Sequence, residues 1–344
     1  MDRLLAALHR ELEMVSDAGW AERVTVGTVF LGGGTPSLLR VDELGEILDC
    51  LRKRLALAPG AEITVEANPE SLSRETLEGY RLAGVNRLSL GVQSLDGQLL
   101  ARLGRLHSPE DARRAFDQAR WAGFDNVSVD LMYGLPGLDL PGWETTVRAV
   151  LSWDPDHLSA YGLTLDEGSR WASEGVPDLP GEEAVVAQYW LLARLARAAG
   201  YEHYEISNYC RAGRRSRHNH LYWRAEEYLG LGPGAAGFLG GVRYTNVKPV
   251  ERYSALLLRG DFPVGEWERL TEGQRLGERL ILGLRLAEGV PLVWLEERVA
   301  QVPQRLPRLL ESWQARGLLA MDAGRARLTE AGFLLSDALF VELL

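Results

Sequence analysis

The dominant pattern along the chain is an apolar, β-rich run that ends in a polar residue or a glycine turn, followed by a helical segment. It first appears over residues 24–31, which lead into Gly32-Gly33-Gly34-Thr35-Pro36 and then a predicted helix over 41–57. Glu62-Ile63-Thr64-Val65-Glu66 repeats it, passing through Ala67-Asn68-Pro69-Glu70 to a helix opened by Ser73. Further runs lie at 87–93, 126–130 and 157–161, with a sixth candidate at 204–207 after a predicted helix over 182–199. Strands separated by helices build a parallel sheet through right-handed crossovers. The pattern therefore predicts an α/β fold, a partial TIM-like β/α barrel, with a doubly wound open sheet as the alternative. Glu66, Gln93 and Asp130 each close an apolar strand. Any one of them could cap the next helix. All three fall at the strand ends where barrels bind ligands.

From 249 to 263 the pattern changes. Helices are predicted at 272–286, 293–299 and 303–316, a short hairpin at 318–328, and a last helix at 330–343. Helices followed by a small hairpin describe a winged-helix-like module. The expected organisation is a barrel over 1–250 and a C-terminal domain over 265–344.

Charge narrows the function classes. The net charge of −10 argues against nucleic acid as a partner, since phosphate neutralisation needs excess Lys and Arg. No apolar run approaches the roughly 20 residues of a membrane span, and the amphipathic start lacks a signal-peptide core. A cytoplasmic protein is expected. Cys50 and Cys210 are the two cysteines, and Cys50 is expected to be a buried core thiol on the 41–57 helix.

Two stretches carry candidate chemistry. Gly32-Gly33-Gly34-Thr35-Pro36 directly follows a strand, and its glycines let backbone approach a ligand with no side chain between. Gly-Lys-Ser/Thr does not follow, so it is not a P-loop. Gly232-Pro233-Gly234-Ala235-Ala236-Gly237 matches G-x-G-x-x-G by letters but lies outside a βαβ unit; a loop lining the barrel mouth is expected. Glu66 and Asp130 suit ribose hydroxyls or an amine, Gln93 donates and accepts, and Arg105 can fork onto a carboxylate. Residues 211–220 are the strongly basic stretch of an acidic protein, with Tyr222 and Trp223 beside them. Most such runs are solvated loops, but arginines, histidines and aromatics together suit a planar anionic ligand.

These residues together resemble the radical S-adenosylmethionine (SAM) family, in the branch that holds oxygen-independent coproporphyrinogen III oxidases and the HemW heme chaperones. The resemblance covers nearly the whole chain. It implies that Gly33, Gly34 and Thr35 touch the methionine end of SAM and that Glu66 binds its ribose. Gln93, Arg105 and Asp130 match further SAM positions, and Gly162 and Ala236 match the adenine side. His218-Asn219-His220-Leu221-Tyr222-Trp223 matches the H-N-x-x-Y-W signature tied to heme in the chaperones. It implies heme contacts at His218, Asn219, Tyr222 and Trp223, with His218 ligating iron. The resemblance also implies a 4Fe–4S cluster on a C-x-x-x-C-x-x-C loop, a motif that the two cysteines here do not form. A first strand and cysteine loop upstream of Met1 are therefore expected. The implied function is heme binding and transfer to respiratory heme proteins, with peripheral contact at the inner membrane face. A porphyrinogen-decarboxylating radical enzyme and a cluster-free binding protein are the alternatives.

Overall fold

The computed structural model describes residues 2–166 and 170–343. The elements run α1 (Asp2–Ser16), β1 (Thr25–Leu31), α2 (Val41–Arg54), β2 (Ala56–Ala67), α3 (Arg74–Ala83), β3 (Arg87–Gln93), α4 (Gly97–Arg102), α5 (Pro109–Trp121), β4 (Val127–Tyr133), α6 (Leu140–Ser152) and β5 (His157–Gly162). Next come α7 (Arg170–Glu174), α8 (Glu182–Ala198), β6 (Glu202–Glu205), β7 (Asn208–Cys210), α9 (Arg217–Trp223), β8 (Ala236–Leu239), β9 (Val242–Asn246), α10 (Val250–Leu258) and β10 (Val264–Arg269). The chain closes with α11 (Glu272–Gly283), β11 (Val290–Pro291), α12 (Leu292–Gln301), α13 (Leu306–Ala315), β12 (Leu319–Asp322), β13 (Arg325–Leu328), α14 (Glu330–Leu334) and α15 (Ser336–Leu343). Two compact units form: Phe30–Val41 with Glu62–Arg215, and Met1–Val29 with Asp42–Ala61 and Ser216–Leu344.

The seven-stranded sheet runs β1-β2-β3-β4-β5-β7-β6, the predicted partial barrel. β2 through β5 pair in parallel, each with the next. Side chains alternate along these strands. Leu88, Leu90, Val92, Val127, Val129, Leu131 and Leu158 are fully buried on one face, and each contributes about 1.5–3 kcal/mol by leaving water. The other face is polar. Glu66, Ser89, Ser128, His157, Cys210 and Glu202 are register partners in one row across six strands. Barrel interiors are usually filled with branched apolar residues, so this polar row marks a face built for hydrogen bonding.

Local chemistry starts and stops the crossover helices. Ser73 caps α3 by accepting from the Thr76 amide, and Gly84 ends that helix in the left-handed region. Ser108 and Asp111 form a capping box on α5 behind Pro109. Asp139 caps α6.

The other unit packs α1 on α10 through Ala7, Val247, Tyr253 and Leu257. It also holds two antiparallel sheets, β10-β9-β8 and β11-β13-β12. The second of these, with α11 to α15, makes the expected winged-helix-like module, and Trp313 is fully buried in it.

Four expectations change. The sixth strand is an antiparallel hairpin, β6 and β7, paired to β5 through β7. Strands this short carry little periodicity, and only the partner strand settles their direction. The helix predicted over 41–57 ends at Arg54, because residues 56–61 extend into β2. Cys50 is half-buried rather than a core thiol. The last predicted helix is two, broken at Leu335.

Candidate functional site

In the Phe30–Val41 and Glu62–Arg215 unit, the glycine turn meets the ends of β2, β3 and β4. Gly33 and Gly34 have φ of 78° and 66°, in the left-handed region, and a Cβ on either would find open space. A Cβ on Gly32 would run into the Phe30 ring and close to the Glu66 carboxyl carbon, so close approach rather than φ requires glycine there. The Gly33 amide donates to Glu66 Oε2 at 3.2 Å. Thr35 is half-buried, with φ −141° and ψ 83°, just ahead of the turn Pro36–Leu38.

The carboxylates are tuned by their surroundings. Burial raises the Glu66 pKa, opposed by the Gly33 amide and reinforced by the charge of Asp130. Asp130 is also raised by burial, opposed by hydroxyls of Ser159, Ser89 and Ser128 and the charge of Arg87. Ser89 Oγ lies 3.0 and 3.1 Å from its two oxygens. Like charges near each other in a low-dielectric site favour protonation unless a cation arrives.

Gln93 ends β3 with φ 65°, rare for a residue with a side chain. Its amide nitrogen and Asn68 Oδ1 both approach the space above Gly91. Arg105 donates to Asn68 Oδ1 at 2.8 Å. His107 is buried below, with Nδ1 2.9 Å from Glu70 Oε2 and Nε2 3.2 Å from the Val92 carbonyl. Gly162, register partner of Tyr133, would bring a Cβ to 3.2 Å from that ring. The structure thus groups Gly33, Glu66 and Asp130, and places Gln93 and Arg105 near Asn68, two residues beyond Glu66. Ala236 sits exposed at the start of β8 in the other unit. Asn68, Ser89, Ser159 and His107 were not singled out from sequence. Ser89 was findable, because it lies on the Gln93 face of β3 by strand alternation.

The α9 segment belongs to the other unit. Ser216 caps it by accepting from the Asn219 amide. His218 is half-buried: Nδ1 lies 2.8 Å from Thr28 Oγ1 and Nε2 2.8 Å from the Tyr222 hydroxyl. Tyr222 packs edge-on against both His218 and Tyr228. Trp223 is half-buried under Arg285, and its indole Nε1 is buried without a hydrogen-bond partner among the described residues. His220 is buried, with Nδ1 3.1 Å from the Ser216 carbonyl.

The arginines of the basic loop have partners within the protein. Arg211 pairs with Asp154, Arg214 with Asp125 and Asp156, and Arg215 with Glu202. Arg217 donates to the carbonyls of Gly60 and Gly27. These contacts hold the arginines of the loop within the fold.

A 4Fe–4S cluster needs thiolates placed together, and the residues present do not fit one. Cys210 is buried, donates to Glu202, and burial pushes its thiol well up. Cys50 lies in the other unit. Among the described residues no group of three His, Cys, Asp or Glu side chains is placed to hold a metal ion. Among the described residues no helix is long and apolar enough to cross a membrane.

A half-barrel with a triglycine turn and carboxylates at its strand ends is the radical SAM architecture. The chain matches the radical SAM superfamily over residues 8–150 and the HemN C-terminal domain over 270–335. It superposes on coproporphyrinogen III oxidase HemN from Escherichia coli with a TM-score of 0.87, covering 99% of this chain and 82% of that one at 22% identity, a likeness of fold. It is 36% identical to the heme chaperone HemW of Bacillus subtilis over 99% of this chain and 90% of the relative. Identity to the heme chaperone HemW of Mycobacterium tuberculosis is 39%, over 100% and 86%. The chain belongs to the HemW family.

Proposed function

We propose that this protein binds heme through α9 and passes it to heme-requiring respiratory proteins, with peripheral contact at the inner membrane face. The observation that carries the reading is the His218 site: a half-buried imidazole beside Tyr222, which packs on Tyr228, with the indole N–H of Trp223, unpartnered among the described residues, on the same short helix. Imidazole is an axial ligand for heme iron, and aromatic rings give a porphyrin face an apolar wall. Asn219 and Trp223 complete the contact set. The name of both relatives, heme chaperone HemW, supports the heme-binding part of the reading.

The strand-end site is read as a SAM pocket. Its residues fit a zwitterionic nucleoside: Gly33, Gly34 and Thr35 for the methionine end, Arg105 for its carboxylate, Glu66 for the ribose hydroxyls. Asp130 and Gln93 complete the polar contacts, and Gly162 takes the adenine side. SAM supplies a sulfonium whose reductive cleavage needs an electron from a cluster, and no such step is assigned to this chain. The domain division proposed is 1–250 and 265–344.

Hemin titration followed by Soret absorbance tests the heme reading. His218→Ala is expected to lose the shifted Soret band and one-to-one binding. An unchanged band and stoichiometry would remove His218 from the site.

A further inference from the structure

We propose that Thr28 and Tyr222 are positioning residues for His218: Thr28 holds the ring proton on Nδ1, and the Tyr222 hydroxyl caps Nε2 until heme iron takes its lone pair. The inference rests on the reading of α9 as the heme-binding segment and adds how its ligand is prepared.

Both ring nitrogens of His218 are engaged, at 2.8 Å each. Thr28 is on β1, 190 residues away in sequence, so this contact is made by the tertiary fold and not by the helix. Arg217 pins the first turn of α9 at the same place, donating to the Gly60 carbonyl at 2.8 Å and the Gly27 carbonyl at 3.3 Å. Tyr222 stands one turn beyond His218, its ring edge-on at 5.0 Å, and is itself braced by Tyr228 at 4.7 Å.

A neutral imidazole carries one N–H and one lone pair. A phenol is a far stronger acid than an aliphatic alcohol, so it is the better donor of the two hydroxyls. The consistent arrangement has Tyr222 O–H donating to Nε2 and Nδ1–H donating to Thr28 Oγ1. When heme arrives, the O–H···Nε2 hydrogen bond breaks and an iron–Nε2 bond forms. The phenol keeps its proton, Nδ1 keeps its own, and no electron moves. Metal-bound histidines commonly have the other ring nitrogen fixed in this way by an outer-shell acceptor. His220 is held differently, since Nδ1 faces a carbonyl of its own helix and the ring is buried.

The test uses the full chain, hemin, and resonance Raman of the reduced complex. Thr28→Val keeps the shape but removes the acceptor. It is expected to weaken hemin binding roughly 10- to 100-fold, the range for losing such an outer-shell partner, and to shift the iron–histidine stretching band to lower frequency. Thr28→Ser should restore both. Tyr222→Phe removes the hydroxyl that occupies Nε2 and is expected to speed hemin association, followed by stopped-flow Soret absorbance. Thermal unfolding by circular dichroism accompanies each variant, and the serine and phenylalanine variants carry the test if valine does not fold. Wild-type affinity and band in a folded Thr28→Val, or hemin association no faster than wild type in a folded Tyr222→Phe, would overturn the proposal. If His218→Ala binds hemin as wild type does, the underlying heme reading fails instead.

Discussion

Gln93 sets local preference against position. Its left-handed backbone costs about 1–3 kcal/mol for a residue with a side chain. Replacement by glycine removes that strain together with the amide. Gln93→Gly is expected to raise or hold the urea midpoint while weakening SAM binding measured by calorimetry. A variant less stable than wild type with unchanged affinity would show a packing role instead. Glu66 and Asp130 make a second residue-scale case. Both carboxyls have raised pKa values, chiefly from burial. The folded chain therefore binds more protons than the unfolded one between the ordinary values, 4.5 and 3.8, and the raised ones. Their contribution to stability is present below the ordinary values and is lost as pH rises through the raised ones. Glu66→Gln and Asp130→Asn should each flatten that decline in denaturation midpoint. A cation bound between the two carboxylates would release protons, visible as a buffer-dependent heat of SAM binding. An equal heat in buffers of different ionisation enthalpy would argue against a cation there. The acidic character of both positions was legible in sequence. Ser89 and Ser128 follow from strand alternation, but their meeting with Ser159 around Asp130 was not legible, because it needs the register of three strands.

At the scale of elements, α1 holds the glycine-rich loop. Glu11 is buried and accepts from the Gly232 amide at 2.8 Å, Asn246 Nδ2 at 2.7 Å and the Tyr253 hydroxyl at 2.6 Å. Truncation leaves three buried donors unpaired, so Glu11→Ala should cost on the order of 3 kcal/mol or more. Glu11→Gln keeps an acceptor and should cost less, with urea denaturation as the measure. An alanine variant within about 0.5 kcal/mol of wild type, the scale of a surface change, would mean that water replaces the carboxylate. In sequence Glu11 reads as an ordinary charged helix position, because its partners lie more than 200 residues downstream. The helices were easier to anticipate. Ser73 announces α3 by capping chemistry that needs only neighbours in sequence. The β6–β7 hairpin lacked such a signal, since antiparallel pairing with β5 is a tertiary choice.

At the scale of the whole molecule, the chain joins a half-barrel bearing a polar strand-end site to a unit that carries α9 and the winged-helix-like module. Only two cysteines are available for a cluster. Anaerobic reconstitution of this chain with iron and sulfide is expected to yield far less than one 4Fe–4S cluster per chain by iron and sulfide analysis. A stoichiometric cluster would mean that other side chains serve as ligands.

The sequence alone determined the strand and helix periods, the triglycine turn, the carboxylates at strand ends and the α9 motif. Each depends on the spacing of near neighbours, and so do backbone sterics and hydrophobic alternation. The tertiary structure decided the register that lines Glu66, Ser89 and Ser128 in one row, and the direction of the β6–β7 hairpin. It also decided the partners of the basic loop and the hydroxyls on the two nitrogens of His218. Those contacts join residues tens to hundreds of positions apart, and local spacing carries no information about which distant side chain the fold delivers.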